Sequence, residues 1–177
     1  MELNVVRRDK LYDGFLKLES LNIKLPNGKE ICREVLKKPD VIAIVAVNKD
    51  GEVYLTKQPR AGINKLSSIE IPAGIIEAGE NPEVSAKREL LEETGCKAPE
   101  GLISLGKYVG DPACSTSVTY LFLALNAEKV SELQLDDDEY LESFTKSISE
   151  VYEMIECGEI MDANSIIAMD RARKYLI

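Results

Sequence analysis

The apolar positions change their spacing several times along the chain, and each change marks an element. "FLKLESLNIKL" (15–25) alternates apolar and polar residues, as a half-buried strand does. Pro26-Asn27-Gly28 is a turn signal, and "KEICREVLKK" (29–38) returns as the second strand of a hairpin. Residues 1–37 therefore form a small strand-rich arm. "VIAIVAVN" (41–48) is a continuous, β-branched apolar run and predicts a buried strand. Lys49-Asp50-Gly51 turns the chain, and "EVYLTKQPR" (52–60) comes back. "SIEIPAG" (68–74) is a short strand ended by Pro72.

The pattern then becomes helical. Asn81 can cap free N–H groups, Pro82 suits the first helical position, and Gly95 can close the helix as its left-handed residue. "LISLGKYVG" (102–110) and "SVTYLFLALN" (117–126) are strand-like, and "LDDDEYLESF" (135–144) joins an acidic loop to another short strand. Residues 147–176 form two helices parted near Gly158. No internal repeat, low-complexity tract or long linker interrupts this order. Strands, a helix, more strands and terminal helices predict a mixed sheet covered by helices. That is an α/β fold, of the α+β kind, laid out as an α/β/α sandwich.

Composition changes what this fold could do. The chain has 177 residues, 30% charged and 45% hydrophobic, as one ordinary globular domain has. No run of about 18 apolar residues is present, and Met1-Glu2-Leu3-Asn4 does not begin like a signal peptide. Cys32, Cys96, Cys114 and Cys157 are far apart and form no CxxC pair, which fits reduced thiols in a cytoplasmic protein. A net charge of −9 without a basic block argues against binding a nucleic-acid backbone. The chain has no histidine, so acid–base work falls to carboxylates, Lys, Tyr, Cys or metal-bound water.

The capped helix concentrates carboxylates. At about 100° per residue, Val84, Ala86, Leu90, Leu91 and Thr94 are expected on one side, with Glu89, Glu92 and Glu93 on the other. Glu89 and Glu93 are four apart and repel, near a helix end whose dipole disfavours negative charge. Either this is a solvated acidic face, or the carboxylates hold a hard divalent cation such as Mg²⁺ or Mn²⁺.

From Gly74 the chain reads five residues to Glu80, seven more to Arg88-Glu89-Leu90, one residue to Glu92-Glu93, then Thr94-Gly95-Cys96. This resembles the Nudix box, G-x5-E-x7-R-E-U-x-E-E-x-G-U with U apolar, at every fixed position. The resemblance implies a loop–helix–loop that grips Mg²⁺ (or Mn²⁺) against a pyrophosphate. By it, Glu89 and Glu93 are direct metal ligands, Glu92 is a third, direct or through water, and the Ala73 carbonyl adds an oxygen. Glu80 and Arg88 are implied to be a structural pair fixing loop to helix, and Gly74 and Gly79 to allow tight turns around the metal. Gly95 completes the structural positions of the box.

Outside the box, "EIPAGIIEAGE" and "KQPR" resemble the ADP-ribose and ADP-sugar pyrophosphatases of the same family. Pro112, sixteen positions after Cys96, and "MIECGEIMDANSIIAM" match that group too. The resemblance spans about residue 40 to the end, which suggests a catalytic domain over 38–177. The arm of 1–37 is a looser match, and in this group the arm commonly builds a homodimer. Arg60 is implied to face the substrate phosphates, with Glu70 and Ser117 among the substrate-binding positions. Two departures stand out. "PACSTS" places Ala113 and Ser117 where the group has glycine and glutamate, and Ser68-Ile69-Glu70 lacks the usual tryptophan.

The implied reaction is metal-dependent hydrolysis of a nucleoside diphosphate linked to a further moiety. The foremost substrate is ADP-ribose, giving AMP and ribose 5-phosphate, or an ADP-sugar. Glu139 is the first choice for the general base and Asp137 the second, with a box glutamate (Glu92 or Glu93) as the alternative. Asp138 and Glu142 are expected to be solvated or structural. A UDP-sugar, a dinucleotide, an oxidised nucleotide, or a non-catalytic ADP-ribose sensor are the competing readings.

Overall fold

The computed structural model describes residues 3–135 and 140–176. Backbone contacts divide the chain into two compact units: residues 1–40 with 109–118, and residues 41–108 with 119–177.

The first unit is a three-stranded antiparallel sheet in the order β1-β2-β3, with β1 at Asn4–Asp13, β2 at Lys17–Lys24 and β3 at Glu30–Lys37. The hairpin of β2 and β3 lies where alternation placed it. Strand β1 was not foreseen, because "NVVRRDKLYD" is dense in charge and lacks a clean period of two. It is an edge strand, largely exposed, with register shifts between Val5 and Arg7 and between Lys10 and Tyr12. Charge and irregularity are how an edge avoids pairing with a stranger. The 109–118 segment is tied to β3: Leu36 donates its N–H to the Cys114 carbonyl at 2.7 Å and accepts from Thr116 N–H at 3.1 Å.

The second unit contains β4 (Val41–Ala46), β5 (Glu52–Arg60), β6 (Lys65–Glu70), β7 (Ala73–Ile75), the helix α1 (Pro82–Thr94), and the short β8 (Cys96–Lys97). It continues with β9 (Ile103–Tyr108), β10 (Thr119–Ala124), the short β11 (Glu128–Lys129), β12 (Glu142–Ser147), α2 (Ile148–Glu156) and α3 (Ala163–Leu176). One sheet runs β7-β4-β10-β9, with β4 and β10 parallel. A second runs β12-β5-β6, and β11 pairs with β8.

Strand β4 explains the layering. Ala43, Val45 and Val47 join a core with Val151 and Met154 of α2 and Ala168, Met169 and Ala172 of α3. Ile42, Ile44 and Ala46 face the other way, into a core with Ala86 and Leu90 of α1. A strand covered on both faces needs no polar alternation, hence the unbroken apolar run. The mixed sheet with helices on both faces is the expected α/β/α sandwich.

"SIEIPAG" is not one strand. The strand ahead of Pro72 begins at Lys65 and pairs with β5, while Ala73–Ile75 pairs with β4. Ile71-Pro72 carries the chain from one sheet to the next, and the Pro72 carbonyl accepts from Ile44 N–H at 2.9 Å. Proline lacks a ladder donor, which suits it to this crossing.

Helix α2 starts with a capping box: Ser147 Oγ accepts from Glu150 N–H, and Glu150 Oε2 accepts from Ser147 N–H at 3.0 Å. The Ser147 hydroxyl, then Lys146, hold the Glu150 carboxyl down at about 2 against an ordinary 4.5. That stabilisation is present above pH 4.5 and is lost as pH falls through about 2. Ser147→Ala is expected to cost about 1 kcal/mol, a Tm lower by about 2–4 °C. In thermal melts, the gap to the unmodified protein should narrow as the pH is lowered across that window.

Candidate active site

Helix α1 is fixed at both ends by the residues expected there. Asn81 accepts from Glu83 N–H at 2.9 Å, and Gly95 (φ 70°) donates its N–H to the Leu91 carbonyl at 2.8 Å. A side chain at Gly95 would also run into the Ser131 carbonyl. With both ends set, the direction of each glutamate follows.

The two-sided reading of the helix needs correction. Glu93 is buried, with 5% of its surface exposed, while Val84 is 56% exposed. Glu93 points inward because it has a partner there: its Oε2 accepts from the Ala73 N–H at 2.9 Å. Glu89, one turn earlier, lies against Gly74, so closely that a Cβ on Gly74 would overlap its carboxylate. Gly74 is therefore not a turn residue. It sits in β7, paired with Ile42, and its lack of a side chain makes room for Glu89. Of Gly74 and Gly79, it is Gly79 (φ 84°) that has the left-handed backbone of a turn. Glu89 and Glu93, four residues apart, thus converge on the Ala73–Gly74 backbone.

Arg88 organises the other side. Its Nη1 donates to Glu89 Oε1 at 2.8 Å and to Glu92 Oε2 at 2.9 Å. Its Nε and Nη2 grip both Glu80 oxygens at 3.2 and 3.1 Å, and Nη2 also donates to the Ile75 carbonyl. This fork holds the Glu80 carboxyl down to about 2, and the surrounding carboxylates push the Arg88 guanidinium up. One guanidinium spans the loop, the helix and two of the three box glutamates.

The donor set suits a hard divalent ion: three carboxylates on one helix and a strand backbone beside two of them. Among the described residues no three Asp, Glu or Cys side chains close into a complete cage. Mg²⁺ rarely uses such a cage; it takes one or two carboxylates and keeps waters for the substrate phosphates to replace. The residues fit that kind of site.

Beside the box lies a cavity of about 560 Å³, with Arg60, Ser68, Glu70, Asp162 and Asn164 as its polar wall and Ile63 and Met161 as apolar lining. Arg60 Nε and Nη2 form a fork onto Glu70 at 2.9 and 2.6 Å. The Glu70 hydrogen bond pushes the Arg60 guanidinium up; the charges of Glu70, Glu93 and Asp162 add to it. Arg60 is thus in electrostatic reach of the box. Ser117 belongs to the first unit, where its Oγ donates to the Pro39 carbonyl at 2.7 Å. Glu139 and Asp137 lie outside the described residues.

The family model of the NUDIX domain matches residues 37–163. The chain belongs to the NUDIX family. This Nudix protein is a pyrophosphohydrolase. It is 32% identical to an ADP-ribose pyrophosphatase of Bacillus subtilis over 96% of this chain and 91% of that protein. It is 31% identical to a methanol dehydrogenase activator of Bacillus methanolicus, over 95% and 91%. A crystal structure of an ADP compounds hydrolase superposes with a TM-score of 0.85 over 99% of this chain and 95% of that one, at 21% identity, and shares the fold.

Sequence reasoning missed Asp162 and Asn164. "MDANS" reads as the start of a helix, and part of it is that: Asp162 Oδ2 accepts from Ser165 N–H at 2.9 Å. Ser165 in turn accepts from Ile71 N–H at 2.8 Å, which brings this helix start to the link between β6 and β7. An Asp three residues before a buried Ser was the available signal.

Proposed function

We propose that this Nudix hydrolase cleaves the pyrophosphate bond of a nucleoside diphosphate linked to a second moiety, with Mg²⁺, and that ADP-ribose is the substrate. The products are AMP and ribose 5-phosphate. The observation that carries this reading is the convergence of Glu89 and Glu93 on the Ala73–Gly74 backbone, next to a cavity bearing Arg60. The name of the Bacillus subtilis relative, similar over nearly the whole chain, supports the choice of substrate.

In this reading Glu89, Glu92, Glu93 and the Ala73 carbonyl hold Mg²⁺, with Mn²⁺ as the alternative ion. The bound ion supplies positive charge that polarises the diphosphate and offsets charge developing on its oxygens. Arg60 adds fixed positive charge at the phosphates. Arg88 and Glu80 lock the loop to the helix so that the carboxylates are set before substrate arrives. Water forms the new bond to phosphorus, and the bridging oxygen leaves with the other phosphate. Glu139 takes the water's proton, with Asp137 second and a box glutamate third. Ser117 has no carboxylate and uses its hydroxyl on Pro39, so it is not the base.

The chain is proposed to act in the cytoplasm, consistent with its four free cysteines. Among the described residues no helix is long and apolar enough to cross a membrane. It is proposed to work as a homodimer with the arm of residues 1–37 as dimerisation element and 38–177 as the catalytic domain. The arm exposes Val6, Leu11, Tyr12 and Phe15, the last 94% exposed, which suits a surface to be covered.

The test is a panel at fixed Mg²⁺: ADP-ribose, ADP-glucose, UDP-glucose, NADH, diadenosine polyphosphates and nucleoside triphosphates, reading AMP, UMP and phosphate. ADP-ribose should give the highest kcat/KM. A higher value for another compound would overturn the substrate assignment, and binding of ADP-ribose without turnover would favour a sensor. Arg60→Ala is expected to raise KM for ADP-ribose about tenfold by removing a charged phosphate contact. It should also lower stability by about 1–3 kcal/mol, since buried Glu70 loses a half-exposed partner.

A further inference from the structure

We infer that Asn164 is a specificity-determining residue, whose side-chain amide donates a hydrogen bond to a neutral acceptor of the substrate, on the base or on the moiety linked to the diphosphate. This deepens the reading above and rests on it.

Asn164 is the second residue of α3 and lines the cavity that holds Arg60. It is half-buried, so part of it stays open. Its two polar ends are used differently. Oδ1 accepts from Tyr108 Oη at 2.6 Å. Nδ2 makes no hydrogen bond among the described residues. The side-chain atoms there that are both unpartnered and fully buried are Gln58 Nε2 and Asp162 Oδ1. Asn164 Nδ2 is not one of them, so it is an unpartnered donor with accessible surface.

Tyr108 decides which end of the amide is free. An asparagine can present its oxygen or its nitrogen, and the neighbours select between them. Burial pushes the Tyr108 hydroxyl up, so it keeps its proton; the Thr119 hydroxyl works against that push, as a donor to the same oxygen does. Tyr108 therefore gives its own proton to Asn164, and the end turned toward it is the carbonyl. The amide nitrogen is left over. Tyr108 does not itself line the cavity, and it acts there only through Asn164.

The rest of the polar wall does not supply such a donor. Arg60 directs Nε and Nη2 to Glu70, and Asp162 is held at the Ser165 N–H. The Ser68 hydroxyl can give or take a proton, so it discriminates little. Asn164 offers one polarity only. Charge then narrows the acceptor. Arg60 is matched by Glu70, and the Asp162 carboxylate lies two residues from Asn164, so a phosphate oxygen gains no net attraction here. A sugar oxygen or a base acceptor meets no such opposition. Ile63 and Met161 form an apolar lining that seats the carbon skeleton bearing it.

The experiment is steady-state kinetics at saturating Mg²⁺ on the wild-type protein, Asn164→Ala, Asn164→Asp, Tyr108→Phe and the Asn164→Ala/Tyr108→Phe double variant. The substrates are ADP-ribose, ADP-glucose and UDP-glucose, which change first the sugar and then the base. Asn164→Asp keeps an acceptor for Tyr108 and loses the donor, while Asn164→Ala adds no charge. Both are expected to raise KM for ADP-ribose about tenfold, the size of one hydrogen bond, with kcat nearly kept. Tyr108→Phe should raise KM less, and should add nothing in the double variant. A smaller loss with ADP-glucose than with ADP-ribose assigns the acceptor to the second sugar. A loss equal for the two ADP compounds and smaller for UDP-glucose assigns it to the base. An equal loss with all three places the contact on the shared ribose diphosphate and overturns the specificity role. Unchanged KM in all the folded variants also overturns it and leaves Asn164 a partner of Tyr108 alone. Unchanged KM in Asn164→Asp, with a loss in Asn164→Ala, shows a site that accepts and overturns the donor. If wild type prefers another of these compounds, the substrate assignment fails separately, and the same ratios are read against the preferred one. If wild type cleaves none, ADP-ribose is titrated calorimetrically in EDTA. A Kd about tenfold higher in Asn164→Ala then supports the role, and equal Kd values or no binding overturn it.

Discussion

Glu93→Gln is expected to lower kcat by about a thousandfold while leaving the fold intact. Glu93 is buried on the inner side of α1 and accepts from the Ala73 N–H at 2.9 Å. The glutamine amide oxygen can make the same bond, so the contact between helix and strand survives. What disappears is one negative charge beside the proposed metal position. A structural glutamate would show the opposite profile, with stability reduced and turnover nearly kept. Measuring kcat at saturating Mg²⁺ together with the Tm of the variant separates the two. Near-normal turnover in a folded Glu93→Gln protein would remove Glu93 from the metal site.

Gly74→Ala is expected to be the second severe change, and by a different route. The added methyl would overlap the Glu89 carboxylate, and the β7 backbone cannot retreat because Gly74 is paired with Ile42. Gly74 does not have the left-handed backbone that makes alanine costly in itself. The flexible end of Glu89 gives way instead, so the fold is retained and the carboxylate is displaced. A displacement on the order of 1 Å at a catalytic group costs about a hundredfold in turnover. The check is again kcat beside the melting curve, now with Glu89→Gln for comparison. If Gly74→Ala has near-normal turnover, the Glu89 carboxylate does not need its place against β7.

Features whose cause is local were legible in the sequence. The continuous apolar run of β4, the Asn81-Pro82 start and the Gly95 end of α1, and the two final helices each depend on neighbours a few residues away. The motif from Gly74 to Cys96 named the glutamates of the box. Long-range causes were not legible. Glu93 seemed to belong to an outer face because its partner, the Ala73 N–H, is 20 residues distant. Gly74 suggested a turn because the carboxylate it accommodates comes from α1. Ile71-Pro72 passes between two sheets, which no spacing of residues reveals. Strand β1 hides its period under charge, as an exposed edge allows. Asp162 looked like an ordinary helix start, since one of its oxygens is that, and only the fold places the residue in the wall of the cavity with Arg60 and Glu70.

The central claim is that the box carboxylates hold a divalent ion for cleavage of a nucleoside diphosphate. The most direct measurement is product release from ADP-ribose by one preparation of the protein, with Mg²⁺ and with EDTA. AMP and ribose 5-phosphate should appear in equal amounts with Mg²⁺ and fall to background in EDTA, returning when Mg²⁺ is restored in excess. Cleavage that is unaffected by EDTA, or no cleavage of any nucleoside diphosphate with either Mg²⁺ or Mn²⁺, would contradict it.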